Sequence, residues 1–83
     1  MPDLIRVQLD IPRETADEMD CLVEEMGLRT RKEFWMNCLA LMRLAADDRR
    51  QGMLVGSMDG DGRPAKQYVL PCLEAVSPRD GNR

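Results

Sequence analysis

The sequence contains no histidine. Every catalytic device built on imidazole is therefore excluded, Ser/His and Cys/His nucleophile pairs among them. Cysteine is scarce and odd in number: Cys21, Cys38 and Cys72, with no close pair and no CxxC spacing. Disulfide staples and a thiolate zinc site are disfavoured on that count, and the apolar surroundings of all three predict buried or partly buried thiols in a reducing compartment. Long apolar runs are also missing. The longest strongly apolar stretch, "CLALM", falls far short of the roughly 20 residues of a membrane span. The chain opens on Pro2 and Asp3 with no apolar segment behind them, so the expectation is a cytoplasmic protein with no leader and no membrane partner. No carboxylate dyad or nucleophile–base pair stands out. The reading is a non-enzyme that needs no cofactor and no metal.

What is present is a short, acidic chain. Its 83 residues make one domain, a size at which a single core is marginal and a staple or partner is usual. With disulfides and metal set aside, oligomerisation remains. The formal net charge is −3, but its distribution is uneven. "ETADEMDCLVEE" carries six acids and no base, whereas "RTRKE" carries three bases and one acid.

The stretch "LIRVQLDIP", Leu4 to Pro12, alternates with period two: Ile5, Val7, Leu9 and Ile11 on one face, and Leu4, Arg6, Gln8 and Asp10 on the other, a mostly polar set. That is the pattern of a half-buried strand, predicted over residues 4–11. Pro12 suits the first turn of a helix. Ala16, Met19, Leu22, Val23 and Met26 then recur at three- and four-residue spacing, predicting a first helix over 13–26 with Gly27 as its stop. "TRKE", Thr30 to Glu33, fits a capping box and starts a second helix over 31–51, stopped by Gly52. Its apolar residues, Phe34, Trp35, Cys38, Leu39, Leu41, Met42, Ala45 and Ala46, fill more than one stripe, so it must be covered on several sides. "MLVGSMDGDGRPAKQYVLP" predicts a β-hairpin extension over 53–71 around the turn-rich "DGDGR". "DGDG" has the look of a calcium loop, but Leu70 stands at the twelfth position, where a bidentate Glu is needed. The polar stretch 72–83 is expected to be a disordered tail.

A lone strand has no ladder partner, and the second helix is too apolar for one neighbour. A two-fold operation cures both defects: two N-terminal strands pair antiparallel, and two second helices pack across the axis. The predicted fold is α+β, mostly α, an obligate dimer with an intermolecular two-stranded ribbon. The methionines are expected as core filler. The dimer core would hold Ile5, Val7, Leu9, Ile11, Phe34, Trp35, Cys38, Leu39 and Met42, with Trp35 as its anchor.

The alternating strand ending in Ile11-Pro12, the "RET" helix start, the "MGLRTRKEF" turn and the start of the second helix together resemble the ribbon-helix-helix superfamily of small dimeric DNA-binding proteins, over a little more than half the chain. The resemblance implies that the paired strands enter the major groove. Arg6, Gln8 and Asp10 would then face base edges, while Arg29, Thr30, Arg31 and Lys32, at the start of the second helix, would hold phosphates. The acidic first helix would face away. Two features depart from the family pattern: Asp10, a carboxylate among the readers, and the hairpin extension. The function expected is sequence-specific binding of double-stranded DNA by a homodimeric transcriptional repressor or autoregulator. The alternative is an antitoxin-like or phage-type inhibitor scaffold, whose hairpin and tail bind a protein partner.

Overall fold

A computed structural model describes residues 3–78. It is a small α+β chain, about half helical, with one two-stranded antiparallel sheet. The chain falls into two units, residues 1–35 and 36–83. Among the described residues, no helix is long and apolar enough to cross a membrane.

The first unit starts with an irregular segment, residues 3–12, that makes no strand within the single chain. Helix α1, Arg13–Glu25, follows. Pro12 sits one position earlier than the first helical turn, as the N-cap, and its carbonyl accepts the first helical bond from the Ala16 N–H at 3.0 Å. Glu14 in the first turn favours the positive end of the helix dipole. The far end closes by a Schellman motif: the Leu28 N–H donates to the Val23 carbonyl and the Gly27 N–H to the Glu24 carbonyl, at 2.9 and 3.1 Å. Gly27 adopts φ +68°, the left-handed region that a Cβ penalises.

Helix α2, Arg31–Arg50, begins at Thr30 and crosses from the first unit into the second. The Thr30 hydroxyl accepts from the Glu33 N–H at 3.0 Å, and Glu33 Oε1 accepts from the Arg29 N–H at 2.7 Å. The Glu33 side chain therefore reaches the N–H of the residue that precedes the N-cap. The C-terminal end repeats the Schellman closure, with Met53 N–H to the Asp48 carbonyl and Gly52 N–H to the Arg49 carbonyl, both 2.9 Å, and φ +83° at Gly52.

In the second unit, β1 (Gly56–Met58) and β2 (Pro64–Gln67) form the hairpin. Gly56 faces Gln67, Ser57 faces Lys66 and Met58 faces Pro64. Ala65 is left as a bulge, which accommodates Pro64, a residue with no ladder N–H to give. Asp59 shapes the turn: its Oδ1 accepts from the Asp61 and Arg63 N–H groups at 2.9 and 3.0 Å. That commits the carboxylate to the turn, and no group of His, Cys, Asp or Glu among the described residues is placed to hold a metal.

Two expectations need correction. Residues 72–83 are not a tail from their first residue. A short helix α3 spans Pro71–Glu74, with Pro71 in its first turn and Leu73 4% exposed. The Leu73 carbonyl accepts from Arg49 Nε at 3.2 Å, while Arg49 Nη1 donates to the Met53 carbonyl at 3.3 Å, so one guanidinium ties α2 to the chain on either side of the hairpin. Burial of one leucine and these bonds outweigh the polar composition; residues 79–83 of the expected tail lie outside the described residues. The cysteines also differ: Cys38 is half-buried, but Cys21 and Cys72 are exposed. Each lies on a helix face that no described residue covers.

Gly27→Ala should lower stability by about 1–2 kcal/mol through backbone strain alone, since no atom lies within 4 Å of the added Cβ. Gly60→Ala, with open space and no positive φ, should stay within about 0.5 kcal/mol of wild type. Urea unfolding of the two variants measures the difference.

Candidate nucleic-acid interface and dimer surface

The expected dimer-core side chains are largely uncovered. Leu4, Ile5, Val7 and Leu9 are 88, 85, 79 and 59% exposed, and Ile11 is half-buried. Arg6, Gln8 and Asp10 are exposed as well. In the single chain, both faces of the alternating segment therefore meet solvent. On α2, Phe34 and Cys38 are half-buried, whereas Trp35, Leu39 and Met42 are exposed. The Phe34 and Trp35 rings meet edge to face, with centroids 5.5 Å apart. Counting along α2 at 100° per residue, Trp35, Cys38, Leu39, Met42 and Ala46 fall on one face.

A second face of α2, carrying Leu41 and Leu44, turns toward an open groove of about 750 Å³ whose other wall includes Leu54, Met58 and Ala65. Asp48 and Lys66 are its charged lining residues. Among the described residues, the buried apolar side chains are Met19, Ala45 and Leu73.

The basic cluster at the start of α2 is unequal in its commitments. Arg29, Thr30, Arg31 and Lys32 are all exposed. Among the described residues, Arg31 alone of the three bases is paired. Its Nε donates to Asp20 Oδ1 at 3.0 Å and its Nη2 to Asp20 Oδ2 at 2.9 Å, a bidentate fork between the first residue of α2 and the middle of α1. This hydrogen bonding holds the Asp20 carboxyl below its ordinary range; desolvation opposes it, and the guanidinium charge adds the smallest of the three effects. The same contact raises Arg31. Among the described residues, no side-chain hydrogen bond or ion pair engages Arg6, Arg29 or Lys32. The turn thus brings Arg29, Thr30, Arg31 and Lys32 together at one helix end. Asp20 joins them there, a neighbour that sequence spacing does not point to.

Because Asp20 is depressed, its contribution to stability is complete above the ordinary aspartate range and fades as pH falls through its lowered folded value. The Asp20 carboxyl carbon, followed by NMR through an acid titration, should move at lower pH in wild type than in Arg31→Gln, where it should return to the ordinary range. Identical titrations in the two proteins would show that the fork does not persist in solution.

Comparisons with protein-family models, with curated proteins and with solved structures gave no match for this chain.

Proposed function

We propose that the protein is a ribbon-helix-helix homodimer that binds double-stranded DNA as a transcriptional repressor or autoregulator. The observation that carries the reading is the segment from Leu4 to Ile11. From Ile5 onward it alternates, yet Leu4, Ile5, Val7 and Leu9 stand open to solvent and its backbone has no ladder partner among the described residues. An alternating strand is worth forming only against a partner. A second copy supplies one through a two-fold axis and covers the Trp35–Met42 face of α2 in the same operation. The opposite face of the ribbon then presents Arg6, Gln8 and Asp10 twice over. Arg6 suits guanine O6 and N7, Gln8 suits adenine N6 and N7, and Asp10 can accept from cytosine N4. Arg29 and Lys32, with the N–H groups at the start of α2, provide the positioning contacts to phosphate.

A second reading has its own support. The groove between α2 and the hairpin is lined by exposed leucines and Met58, and the chain is acidic overall. An antitoxin-like or inhibitor scaffold would use the hairpin as its protein-binding surface, with the dimer core only as support. Binding to random duplex DNA separates the two. Under the DNA reading, affinity falls steeply with salt because phosphate contacts release counterions; a scaffold binds no duplex even at low salt.

The dimer should unfold with a thermal midpoint that rises with protein concentration, and Val7→Asp should abolish folding while Gln8→Ala leaves it intact. Circular dichroism over a dilution series checks both, and a folded, cooperative monomer at low micromolar concentration would overturn the fold. On a cognate duplex, Arg6→Ala should cost about 1–3 kcal/mol and relax preference at one base per half-site. Lys32→Ala should weaken all duplexes alike and flatten the salt slope by about one for each phosphate that Lys32 no longer neutralises.

A further inference from the structure

We infer that Asp20 is an internal competitor for phosphate, which holds Arg31 out of DNA binding and so sets the weak, non-specific affinity of the dimer. The inference rests on the DNA-binding reading above and adds a control on the same surface. A carboxylate and a phosphate present similar paired oxygens to a guanidinium. Asp20 already fills the Nε/Nη2 side of Arg31 with both oxygens, at 3.0 and 2.9 Å. Its neighbours in the cluster, Arg29 and Lys32, have no such occupant among the described residues. Five further acids of α1, Glu14, Asp17, Glu18, Glu24 and Glu25, make no ion pair to Arg31. The neutralisation is therefore local to one base and made by one acid.

The fork is also weak enough to be exchanged. Its side chains are 61 and 49% exposed, and exposed pairs of this kind are readily opened by water and salt. A phosphate in strong, well-registered contact can take the place of Asp20, whereas a passing phosphate on random DNA does not repay the exchange. Arg31 then adds little to random binding. Its charge is already balanced within the protein, so few condensed counterions leave when a phosphate comes near.

The test is binding to a short random-sequence duplex over a salt series, by fluorescence anisotropy, with circular dichroism as a check on folding. Asp20→Asn should bind on the order of tenfold tighter at low salt, with a log–log salt slope steeper by about two for the dimer, one phosphate gained per protomer. Asp20→Ala should do the same, which guards against a defect peculiar to the amide. Asp17→Asn removes an equal charge from the same helix without touching Arg31, and its slope should match wild type. Arg31→Gln should barely alter wild-type random binding but should cancel the gain in the Asp20→Asn background. If Asp20→Asn leaves affinity and slope unchanged while wild type binds, the competitor role is overturned and DNA binding stands. The role is equally overturned if Asp20→Asn weakens binding as much as Arg31→Gln does, since Asp20 would then position the guanidinium rather than withhold it. If no variant binds duplex at low salt, the DNA reading fails and this inference with it. Binding by Asp20→Asn alone would support both.

Discussion

The rest of the structure depends on a shortage of cover for apolar side chains. Fixing the backbone of each residue costs roughly 1–2 kcal/mol of conformational entropy, and apolar burial is the main term that offsets it. Here the described buried side chains are one methionine, one alanine and one leucine, while Leu4, Ile5, Val7, Leu9, Trp35, Leu39, Leu41 and Leu44 all remain exposed. Local devices are in good order. Both long helices close by Schellman motifs, Thr30 caps α2, and Arg49 ties α2 to the chain flanking the hairpin. Caps and turns of this kind contribute about 1 kcal/mol each, too little to replace a core. A partner that covers the N-terminal segment and α2 is the simplest way to supply what is missing, and a second copy meets the requirement with the same residues on both sides.

Legibility follows the range of the interaction. Gly27 and Gly52 are readable as helix stops because a positive φ is a one-residue requirement that glycine meets without strain. "TRKE" is readable because capping involves neighbours three residues apart, although the bond from the Arg29 N–H to the Glu33 side chain lies one residue before the N-cap. The hairpin follows from its turn chemistry, but its strands are shorter than the β-prone runs suggest, and the bulge at Ala65 is visible only with Pro64 placed opposite Met58. Helix α3 is hidden by the polar composition of the stretch that contains most of it. Pro71 followed by Leu73 is the available signal, a helix-starting proline ahead of a lone apolar residue.

The candidate site divides the same way. Arg6, Gln8 and Asp10 can be assigned to one face by alternation alone. The Arg31–Asp20 fork cannot, because its partners are eleven residues apart and meet only through the angle at which the Met26–Thr30 turn returns the chain. The exposure of Cys21 and Cys72 is equally hidden, since an apolar context predicts burial only when something lies opposite. The ribbon and the fork bear on each other. Under the proposed reading, a ribbon that reads bases would need phosphate contacts that register it, and an acid masking Arg31 would reduce the part of the binding that carries no sequence information. On the proposed ribbon, Asp10 would act in the same direction.

The central claim is that residues 4–11 of two chains pair antiparallel across a two-fold axis. Isotope-filtered NOE spectroscopy on a mixture of labelled and unlabelled protein tests it most directly. The account predicts intermolecular Hα–Hα contacts within residues 4–11, which short cross-strand distances require, together with intermolecular contacts from the Trp35 ring. Sharp spectra of a folded protein with no intermolecular contact from residues 4–11 would contradict it.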